Sequence, residues 1–438
     1  MPLRRADVEK YLAWIASAFE LMRQRLLATL FIVLFVSSAG LSRFAAAGNT
    51  VGLDRQTELG GEANKRSPRI RPEAGLLRYG SGNWRTLTNT RRYGVFIVGP
   101  ANANAAGAQP GRALIYGCGV SIPNASWSAS CGVSWREAVA NNWLLKDANG
   151  KYVPYGHGYS NEYLADIGNS SYRQRFISEM DADIAVHRGV DGVFIDNVVG
   201  NLISSSNKYR DNASYRLAML GFIKSVGPAL RARGRYVAVN AGMNDDGARA
   251  FTGETNDGTQ YIWWFKQIGP YVSGISTEHW QQWGSTGSVR TSGTAWNQAW
   301  EGWERLPSAV ASMGKDFYAI TTGALTDTRE AAYLRASFLL AWKPGRGTFF
   351  YTDSSVGKSD PWGLVATPDI GRPLGPRRRI GVGFKRTFTS GIAVVNPSPS
   401  QSQTFGFHRK YLMADGTTTR SITLPPTSGL VLRRASLR

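Results

Sequence analysis

Cysteine and histidine are scarce in this 438-residue sequence, which contains two cysteines and four histidines. The histidines lie far apart, at His157, His187, His279 and His408. The cysteines are not spaced like zinc ligands, so no metal site is predicted. Cys118 and Cys131 fall in one predicted loop region. They are expected either to form a disulfide in an oxidising compartment or to remain two buried thiols.

A glycine-rich phosphate-binding loop is also missing. Gly117-Cys-Gly119 is too short a match to the dinucleotide fingerprint, and no such motif follows the first predicted strand. No predicted strand ends in a lysine suited to forming a Schiff base. Neither a metal nor an organic cofactor is therefore expected.

Acidic residues are few, 31 against 51 basic ones, which gives a formal net charge of +20. Such a charge suits an acidic polymer, an anionic envelope or nucleic acid as a partner, or simply a solvated basic surface. The sequence has no basic helix, no alternation of aromatic and basic residues and no zinc-finger spacing. Nucleic acid is therefore not expected as a partner.

Long apolar runs are absent beyond the N-terminus. Leu26–Leu41 is apolar, Arg23 and Arg25 precede it, and small residues follow up to Gly48. This order is typical of a secretory signal. The alternative is an uncleaved membrane anchor, although the run is short for a full span. Residues 1–48 are thus predicted to be a signal peptide or anchor, with true translation starting at Met1 or Met22, and the protein to be secreted or in the cell envelope.

Alternating apolar runs and helical patterns dominate the middle of the chain. Eight strands are predicted, at Tyr93–Val98, Ala113–Gly117, Tyr163–Ile167, Gly192–Ile195, Tyr236–Asn240, Gly274–Glu278, Phe317–Thr321 and Thr348–Asp353. Eight strand–helix units in this length favour a closed (β/α)8 TIM barrel, an α/β fold, over residues 76–374. Residues 49–75 are predicted to be a linker. The short link Gly99–Arg112 leaves room for only about two helical turns.

The pattern changes near Gly375. Short apolar runs separated by Gly, Pro and Ser, with no helical pattern between them, predict a small antiparallel β-domain over residues 375–438.

Polar side chains terminate the predicted strands. They are Asp166, Asp196, Asn197, Asn240, Glu278, Thr321 and Asp353. In a barrel these ends surround one mouth, where the chemistry of the fold takes place. Two carboxyls for proton transfer and nucleophilic attack, with amides and hydroxyls to hold sugar hydroxyls, are the equipment of a glycosidase.

Asp196 and Glu278 are the predicted catalytic pair. The shorter Asp196 suits a nucleophile or base, and the longer Glu278 suits an acid that reaches the glycosidic oxygen. Asp166 is the reserve candidate, which is otherwise expected to bind sugar or tune Asp196. The predicted substrate-binding residues are Tyr116, Asp166, Asn197, Asn240, His279, Trp280 and Asp353. Trp143, His157 and Tyr159 are further candidates for lining subsites. The sequence contains 14 tryptophans, and a dense group of seven between Trp263 and Trp303 suits stacking on sugar rings.

On these motifs the chain resembles the bacterial TIM-barrel proteins of hypothetical glycoside hydrolase-like family 15. The matching segments are Trp143–Gly150, Asp166–Asn169, Gly192–Asn197, Glu278–Trp280, Gly391–Pro397 and Gly429–Leu432. The resemblance implies a barrel with a C-terminal β-domain and an acid on strand four. It carries no substrate with it, and the pairing of Asp196 with Glu278 is supported by analogy with related barrel glycosidases.

The resulting hypothesis is an exported glycoside hydrolase that cleaves a polysaccharide, oligosaccharide or envelope glycan without a cofactor. One alternative is a non-catalytic glycan-binding barrel, which would keep the aromatic residues without depending on both carboxyls. Another is an envelope structural protein whose basic surface adheres to anionic polymers. A membrane is expected as a partner only if the N-terminal segment is uncleaved.

Overall fold

The structure is a computed structural model that describes residues 73–79, 84, 87–156, 159–242, 258–283, 288–293, 299–353 and 360–435. The predicted leader, residues 1–48, and the predicted linker as far as residue 72 lie outside the described residues.

Eight parallel strands close into a barrel, which confirms the predicted fold class. They are β1 (Glu73–Arg78), β2 (Val95–Val98), β3 (Arg112–Gly117), β7 (Gly192–Val199), β8 (Tyr236–Gly242), β9 (Gly274–Thr277), β12 (Asp316–Thr322) and β13 (Thr348–Thr352). The barrel closes because β1 pairs with β2 on one side and with β13 on the other. Its strands read as apolar runs because both faces are buried. In β2, for example, Val95 and Ile97 fill the barrel interior, whereas Phe96 and Val98 pack toward the helices.

Seven of the eight predicted strands belong to the barrel, and the third, Tyr163–Ile167, does not. That segment overlaps β6 (Tyr159–Leu164), which forms an antiparallel sheet with β4 (Ser121–Pro123) and β5 (Pro154–Gly156). An isolated apolar run cannot distinguish these two settings. The missing barrel strand is β1, which begins three residues before the predicted start of the barrel at residue 76. The prediction omits β1 and counts Tyr163–Ile167 as a barrel strand, and both positions precede β7. The two errors cancel, so β7 is still the fourth barrel strand.

The three-stranded sheet lies in the long connection between β3 and β7. Cys118 and Cys131 form a disulfide at its start, with their Cα atoms 5.2 Å apart. The pairing is one of the two alternatives that the sequence left open.

Helices cover the barrel. They are α1 (Pro100–Gly107), α2 (Trp135–Ala140), α3 (Ser170–Val186), α4 (Asn212–Ala232), α5 (Thr259–Ile268), α6 (Trp300–Glu304), α7 (Leu306–Ser312), α8 (Thr328–Ala341) and α9 (Trp362–Val365), with 3-10 turns at Thr90–Arg92, Ser126–Ser130 and Gly269–Tyr271. The short link between β2 and β3 holds the eight residues of α1. Across the described ranges, no helix combines the length and apolarity needed to cross a bilayer.

A six-stranded antiparallel sheet follows the barrel, as predicted. Its strands are β14 (Arg378–Ile380), β15 (Gly383–Thr387), β16 (Gly391–Asn396), β17 (Gln403–Leu412), β18 (Thr418–Leu424) and β19 (Ser428–Arg434), in the order β14-β15-β16-β19-β17-β18. One face packs on α8, where a Cβ at Gly429 would lie 3.0 Å from Ala336. The remaining two strands, β10 (Gln282–Trp283) and β11 (Ser288–Val289), form a separate hairpin.

The end of β7 is distorted by a β-bulge. The register against β8 shifts between Ile195 and Val198, and Asn197 has a left-handed φ of 61°. Asn is among the few residues that adopt this conformation readily. The bulge turns the backbone directly after Asp196, as bulges next to functional sites often do.

We expect Asn197→Val to destabilise the protein more than Asn197→Gly. Both variants lose the same amide, but only valine places a branched Cβ at positive φ, which costs about 1–2 kcal/mol. Thermal unfolding of the two variants measures this difference directly. Equal melting temperatures would show that the left-handed conformation at this position is not required.

Candidate active site

A cavity of about 340 Å³ opens among the carboxyl ends of the barrel strands and the β4-β6-β5 sheet. This volume lies in the range of small-ligand pockets. The described residues that line it are Tyr116, Tyr155, Tyr159, Glu162, Asp196, Asn197, Val199, Asn240, Gly242, Tyr261, Thr277, Glu278 and His279.

Asp196 is buried in the wall of this cavity, on β7. Its Oδ1 accepts hydrogen bonds from the side-chain amide of Asn240, at 2.7 Å, and from the backbone N–H of Asn197, at 2.8 Å. Its Oδ2 accepts a hydrogen bond from the Tyr116 hydroxyl. Both oxygens are therefore satisfied by donors, an arrangement that favours the ionised carboxylate.

Glu278 follows β9 and lines the same cavity, half-buried. The Tyr79 hydroxyl donates to its Oε1 at 2.7 Å. Its backbone N–H donates to Oδ1 of Asn240 at 3.0 Å. Asn240 thus contacts the Asp196 side chain with one end of its amide and the Glu278 main chain with the other.

Burial raises the pKa of both carboxyls. The pKa of Glu278 rises to about 8, first because of burial and then because of the negative charge of Asp196, while the hydrogen bonds from Tyr79 and Asn240 oppose the shift. Burial also raises the pKa of Asp196, and its bonds from Tyr116, Asn240 and Asn197 oppose that shift. At neutral pH this environment favours a protonated Glu278. Acid–base work by a pair of carboxyls requires one protonated and one ionised member.

Two neighbouring tyrosines each donate a hydrogen bond to one of these carboxyls. The rings of Tyr79 and Tyr116 lie 4.4 Å apart, centroid to centroid, and each hydroxyl serves one of the two acids. Burial and the neighbouring carboxylates raise the pKa of both phenols well above their usual value, so both remain donors.

The three-stranded sheet supplies the opposite wall. Tyr155 and Tyr159 pack edge to face, with ring centroids 5.8 Å apart, and the Tyr155 hydroxyl donates to Oδ1 of Asn197 at 2.7 Å. Glu162 accepts a hydrogen bond from Ser121 at 2.9 Å. Burial, with the charge of Asp196 as a further cause, raises the pKa of Glu162. A third carboxyl therefore lines the cavity.

Six of the residues predicted from the sequence meet at the cavity. They are Tyr116, Asp196, Asn197, Asn240, Glu278 and His279. His279 is exposed at the rim, where Nδ1 lies 3.2 Å from the Thr322 hydroxyl. Tyr159 also lines the cavity, whereas His157 lies outside the described residues.

Asp166 and Asp353 are not among the described residues that line the cavity. Asp166 is paired with Lys208 at 2.6 Å and accepts a bond from Tyr209 at 2.8 Å. It follows a strand outside the barrel, which explains its position. Asp353 acts electrostatically on Arg78.

Trp280 is fully buried and is not among the described residues that line the cavity, which contradicts the prediction that it binds substrate. Its indole N–H donates to the carbonyl of Trp303 at 2.8 Å, and its ring packs on Phe317 and Phe338. The cause is the left-handed His279, φ 58°, which turns the chain away from the cavity after Glu278. Trp143 is likewise a core residue, in contact with Tyr172.

Sequence reasoning missed Tyr79, Tyr155, Glu162, Tyr261 and Thr277. Tyr79 directly follows β1, a strand whose first residues fall in the predicted linker. Tyr155 and Glu162 belong to the sheet inserted between β3 and β7. The apolar pair Leu76-Leu77 before a tyrosine was the available signal for the first of these.

Within the part of the chain that the structure describes, no group of three or more His, Cys, Asp or Glu side chains is arranged to hold a metal ion. The polar side chains that line the cavity carry carboxyl, amide, phenol, hydroxyl and imidazole groups.

Comparison with known proteins connects this site to a family. Residues 123–392, more than half of the chain, match the model of hypothetical glycosyl hydrolase family 15. Comparison with curated protein sequences finds no match.

Several solved structures are similar to this one. The glycoside hydrolase domain of PelA from Pseudomonas aeruginosa is 16% identical, with 64% of this chain and 95% of that chain covered and a TM-score of 0.44. An alpha-amylase from Lactobacillus plantarum is 9% identical, with 83% and 99% covered and a TM-score of 0.46. Trehalose-6-phosphate hydrolase from Bacillus licheniformis is 10% identical, with 84% and 98% covered and a TM-score of 0.45. The match to the family model confirms the resemblance noted in the sequence: the chain belongs to hypothetical glycosyl hydrolase family 15.

Proposed function

We propose that this protein hydrolyses O-glycosidic bonds of a polysaccharide, oligosaccharide or envelope glycan, with Asp196 and Glu278 as the reacting carboxyls. Membership of a glycosyl hydrolase family supports the general activity. The observation that carries the assignment is the pair itself. Two carboxyls share one cavity, are tied to the same amide, and have different remaining partners.

In this proposal Glu278 is the acid. Its proton passes to the glycosidic oxygen as the bond from that oxygen to the anomeric carbon breaks. Asp196, ionised and held by three donors, either attacks the anomeric carbon or removes a proton from the water that attacks it. In the first case water later releases the sugar from Asp196, with Glu278 acting as the base.

The cavity walls suit a sugar. Asn197, Asn240 and Tyr116 place amide and phenol groups around the carboxyls, and Tyr155 and Tyr159 add aromatic surface on the facing wall. Aromatic rings stack on sugar faces, and polar groups hold hydroxyls. Tyr159 is 57% exposed, so part of its ring is available to a ligand.

We expect Asp196→Asn and Glu278→Gln each to lower reducing-sugar release by at least about 10²-fold, the scale of acid–base catalysis. Asp166→Asn is the matched control, because it also neutralises a carboxylate but at a site away from the described cavity lining. It should retain activity within about tenfold, since it touches neither reacting group. The assay uses a panel of bacterial envelope and plant polysaccharides, with circular dichroism of each variant to check folding.

Three other results would contradict the proposal. Activity that survives in both cavity variants would place the chemistry elsewhere, and loss in Asp166→Asn alone would transfer it to that residue. No release from any polymer, with glycan binding unchanged in all variants, would identify a non-catalytic binding barrel.

The two tyrosines should control opposite limbs of the pH profile. Activity requires protonated Glu278, so it should fall as the pH rises through about 8. The hydrogen bond from Tyr79 favours the ionised form of Glu278. Tyr79→Phe should therefore raise the pKa of Glu278 and move the alkaline limb to higher pH. Activity also requires ionised Asp196 and falls as the pH drops through its pKa. Tyr116→Phe should raise the pKa of Asp196 and move the acid limb to higher pH.

The profile of kcat/KM against pH measures both limbs. Each variant serves as the control of the other, because both remove one phenolic hydroxyl from the same pair of contacting rings. Identical shifts in the two variants, or no shift in either, would contradict the assignment of acid and base.

Export is part of the same proposal. A disulfide between Cys118 and Cys131 supports an oxidising compartment, where such bonds persist. We expect a protein expressed with its own leader to be recovered outside the cytoplasm and to begin close to Gly48 when its N-terminus is determined by mass spectrometry. An exported form that retains the apolar run would instead be anchored, and an entirely cytoplasmic product would contradict export.

A further inference from the structure

Half of the net positive charge of the chain is concentrated in its last 64 residues. Residues 375–438 contain eleven Lys or Arg and one acidic residue, Asp415, against a net charge of +20 for all 438 residues. Like charges on a small domain repel one another and destabilise its compact state. Stability therefore does not explain such a concentration of charge.

Three of these cations are used to fix the sheet to the barrel. Arg377 pairs with Glu304 at 2.9 Å, and Arg379 approaches Glu301 at 3.7 Å. Arg386 is buried and donates to the carbonyls of Leu339 and Trp342. Their role is structural.

Five other cations lie at one end of the sheet. We refer to them as the terminal cation cluster: Arg409, Lys410, Arg420, Arg433 and Arg434. The strand register brings them together. Tyr411 is opposite Arg434, Leu412 is opposite Arg433, and Thr419, next to Arg420, is opposite Tyr411. Since successive residues of a strand point to opposite faces, the cluster wraps around the end of the sheet.

The cluster has no anionic partner in the described part of the chain. The ion pairs of this domain there involve only Arg377 and Arg379. Asp415, in the adjoining turn, accepts bonds from the Thr417 backbone and hydroxyl. Burial raises the pKa of Tyr411, and the charges of Arg409 and Arg434 oppose that shift, so both guanidinium groups act on the same hydroxyl.

The surroundings of the cluster are rich in hydroxyls, and the aromatic rings on its strands are buried or half-buried, except for the exposed imidazole of His408. Exposed or half-exposed Thr417, Thr418, Thr419 and Ser421 lie beside it, whereas Tyr411 is 6% exposed. Nucleic-acid surfaces of the single-strand type need aromatic stacking platforms. Insertion into a lipid surface needs an apolar face, and the exposed apolar side chain in these strands is Leu412. Guanidinium groups with neighbouring hydroxyls suit a hydroxyl-bearing polyanion, since arginine binds carboxylate and phosphate in bidentate fashion.

We propose that the terminal cation cluster is a second, non-catalytic glycan site that binds acidic polysaccharides, polymers with carboxylate or phosphate groups on their sugars. None of its residues is among the described residues that line the cavity, and its chemistry differs from that of the cavity. The described cavity lining has three carboxyls and no Lys or Arg, so it disfavours an anionic sugar. The cluster would hold the enzyme on acidic envelope material while the cavity acts on sugar units without negative charge.

Binding of the full chain to polygalacturonate, compared with dextran as the neutral polymer, tests this proposal. The variant changes four cluster cations, by Arg409→Gln, Lys410→Gln, Arg433→Gln and Arg434→Gln. The matched control removes the same charge from exposed sites on the barrel, by Arg136→Gln, Arg188→Gln, Lys266→Gln and Lys343→Gln. An exposed charge contact contributes a factor of about two to five, so the cluster variant should bind polygalacturonate at least about tenfold more weakly. The control should stay within about twofold, and binding of the parent should weaken with salt.

Equal losses in the cluster variant and the control would overturn the proposal, because they would show a general effect of net charge. So would preferential binding of an oligothymidylate or of phosphatidylglycerol vesicles over polygalacturonate. Unchanged melting temperatures confirm that both variants are folded. The binding measurement requires no hydrolysis, so its outcome does not depend on the roles proposed for Asp196 and Glu278.

Discussion

The side-chain amide of Asn240 is the contact on which the candidate site depends. The backbone N–H of Glu278 can only donate, so it fixes the amide oxygen of Asn240 toward itself. The NH₂ group is then directed at Asp196, whose carboxylate can only accept. One amide thereby holds the Asp196 carboxyl and the Glu278 main chain in fixed positions relative to each other, and it opposes the raised pKa of both acids. Without it, Asp196 would lose one of its three hydrogen-bond donors, and its pKa would rise further.

This bridge follows from the strand order. In the barrel β8 lies between β7 and β9, so the side chain at its end is placed between the ends of its neighbours. Asn240 lies near the carboxyl end of the central strand, Asp196 lies on one flanking strand and Glu278 follows the other. Hydrogen-bonded neighbours are about 4.8 Å apart, which is within the reach of one amide side chain. The bulge at Asn197 and the left-handed His279 then turn the chain away after each acid. The barrel therefore needs little more than three adjacent strands to assemble the pair.

The same logic explains what could be predicted from the sequence. Asp196 and Asn240 end apolar runs, and Glu278 ends the predicted strand Gly274–Glu278. Because parallel strands bring such ends to one edge, the amino-acid pattern alone is enough to predict that the three residues meet. Tyr79 was missed because β1 has charged ends and contains a glycine, which leaves the pair Leu76-Leu77 as its main apolar signal. Glu162 could not be predicted as a cavity residue, because its strand forms an antiparallel sheet outside the barrel. The sequence of one strand does not reveal which strands pair with it. The prediction for Trp280 is wrong because two residues of left-handed backbone, at His279 and Gln281, break the simple alternation of a strand.

The distribution of charge completes the argument. A cation beside Glu278 would stabilise its carboxylate and lower the pKa that burial raises. None of the described residues lining the cavity is Lys or Arg, and the groups that oppose the raised pKa of Glu278 are neutral hydrogen-bond donors. A chain with a net charge of +20 can preserve a protonated acid only if its cations are placed elsewhere. In this protein half of the net charge lies in residues 375–438, where some cations fix the sheet to the barrel and others are exposed or half-exposed. On the proposed function, separation of the cations from the cavity is therefore a condition for catalysis at neutral pH, and the C-terminal domain contributes to it without touching the substrate bond.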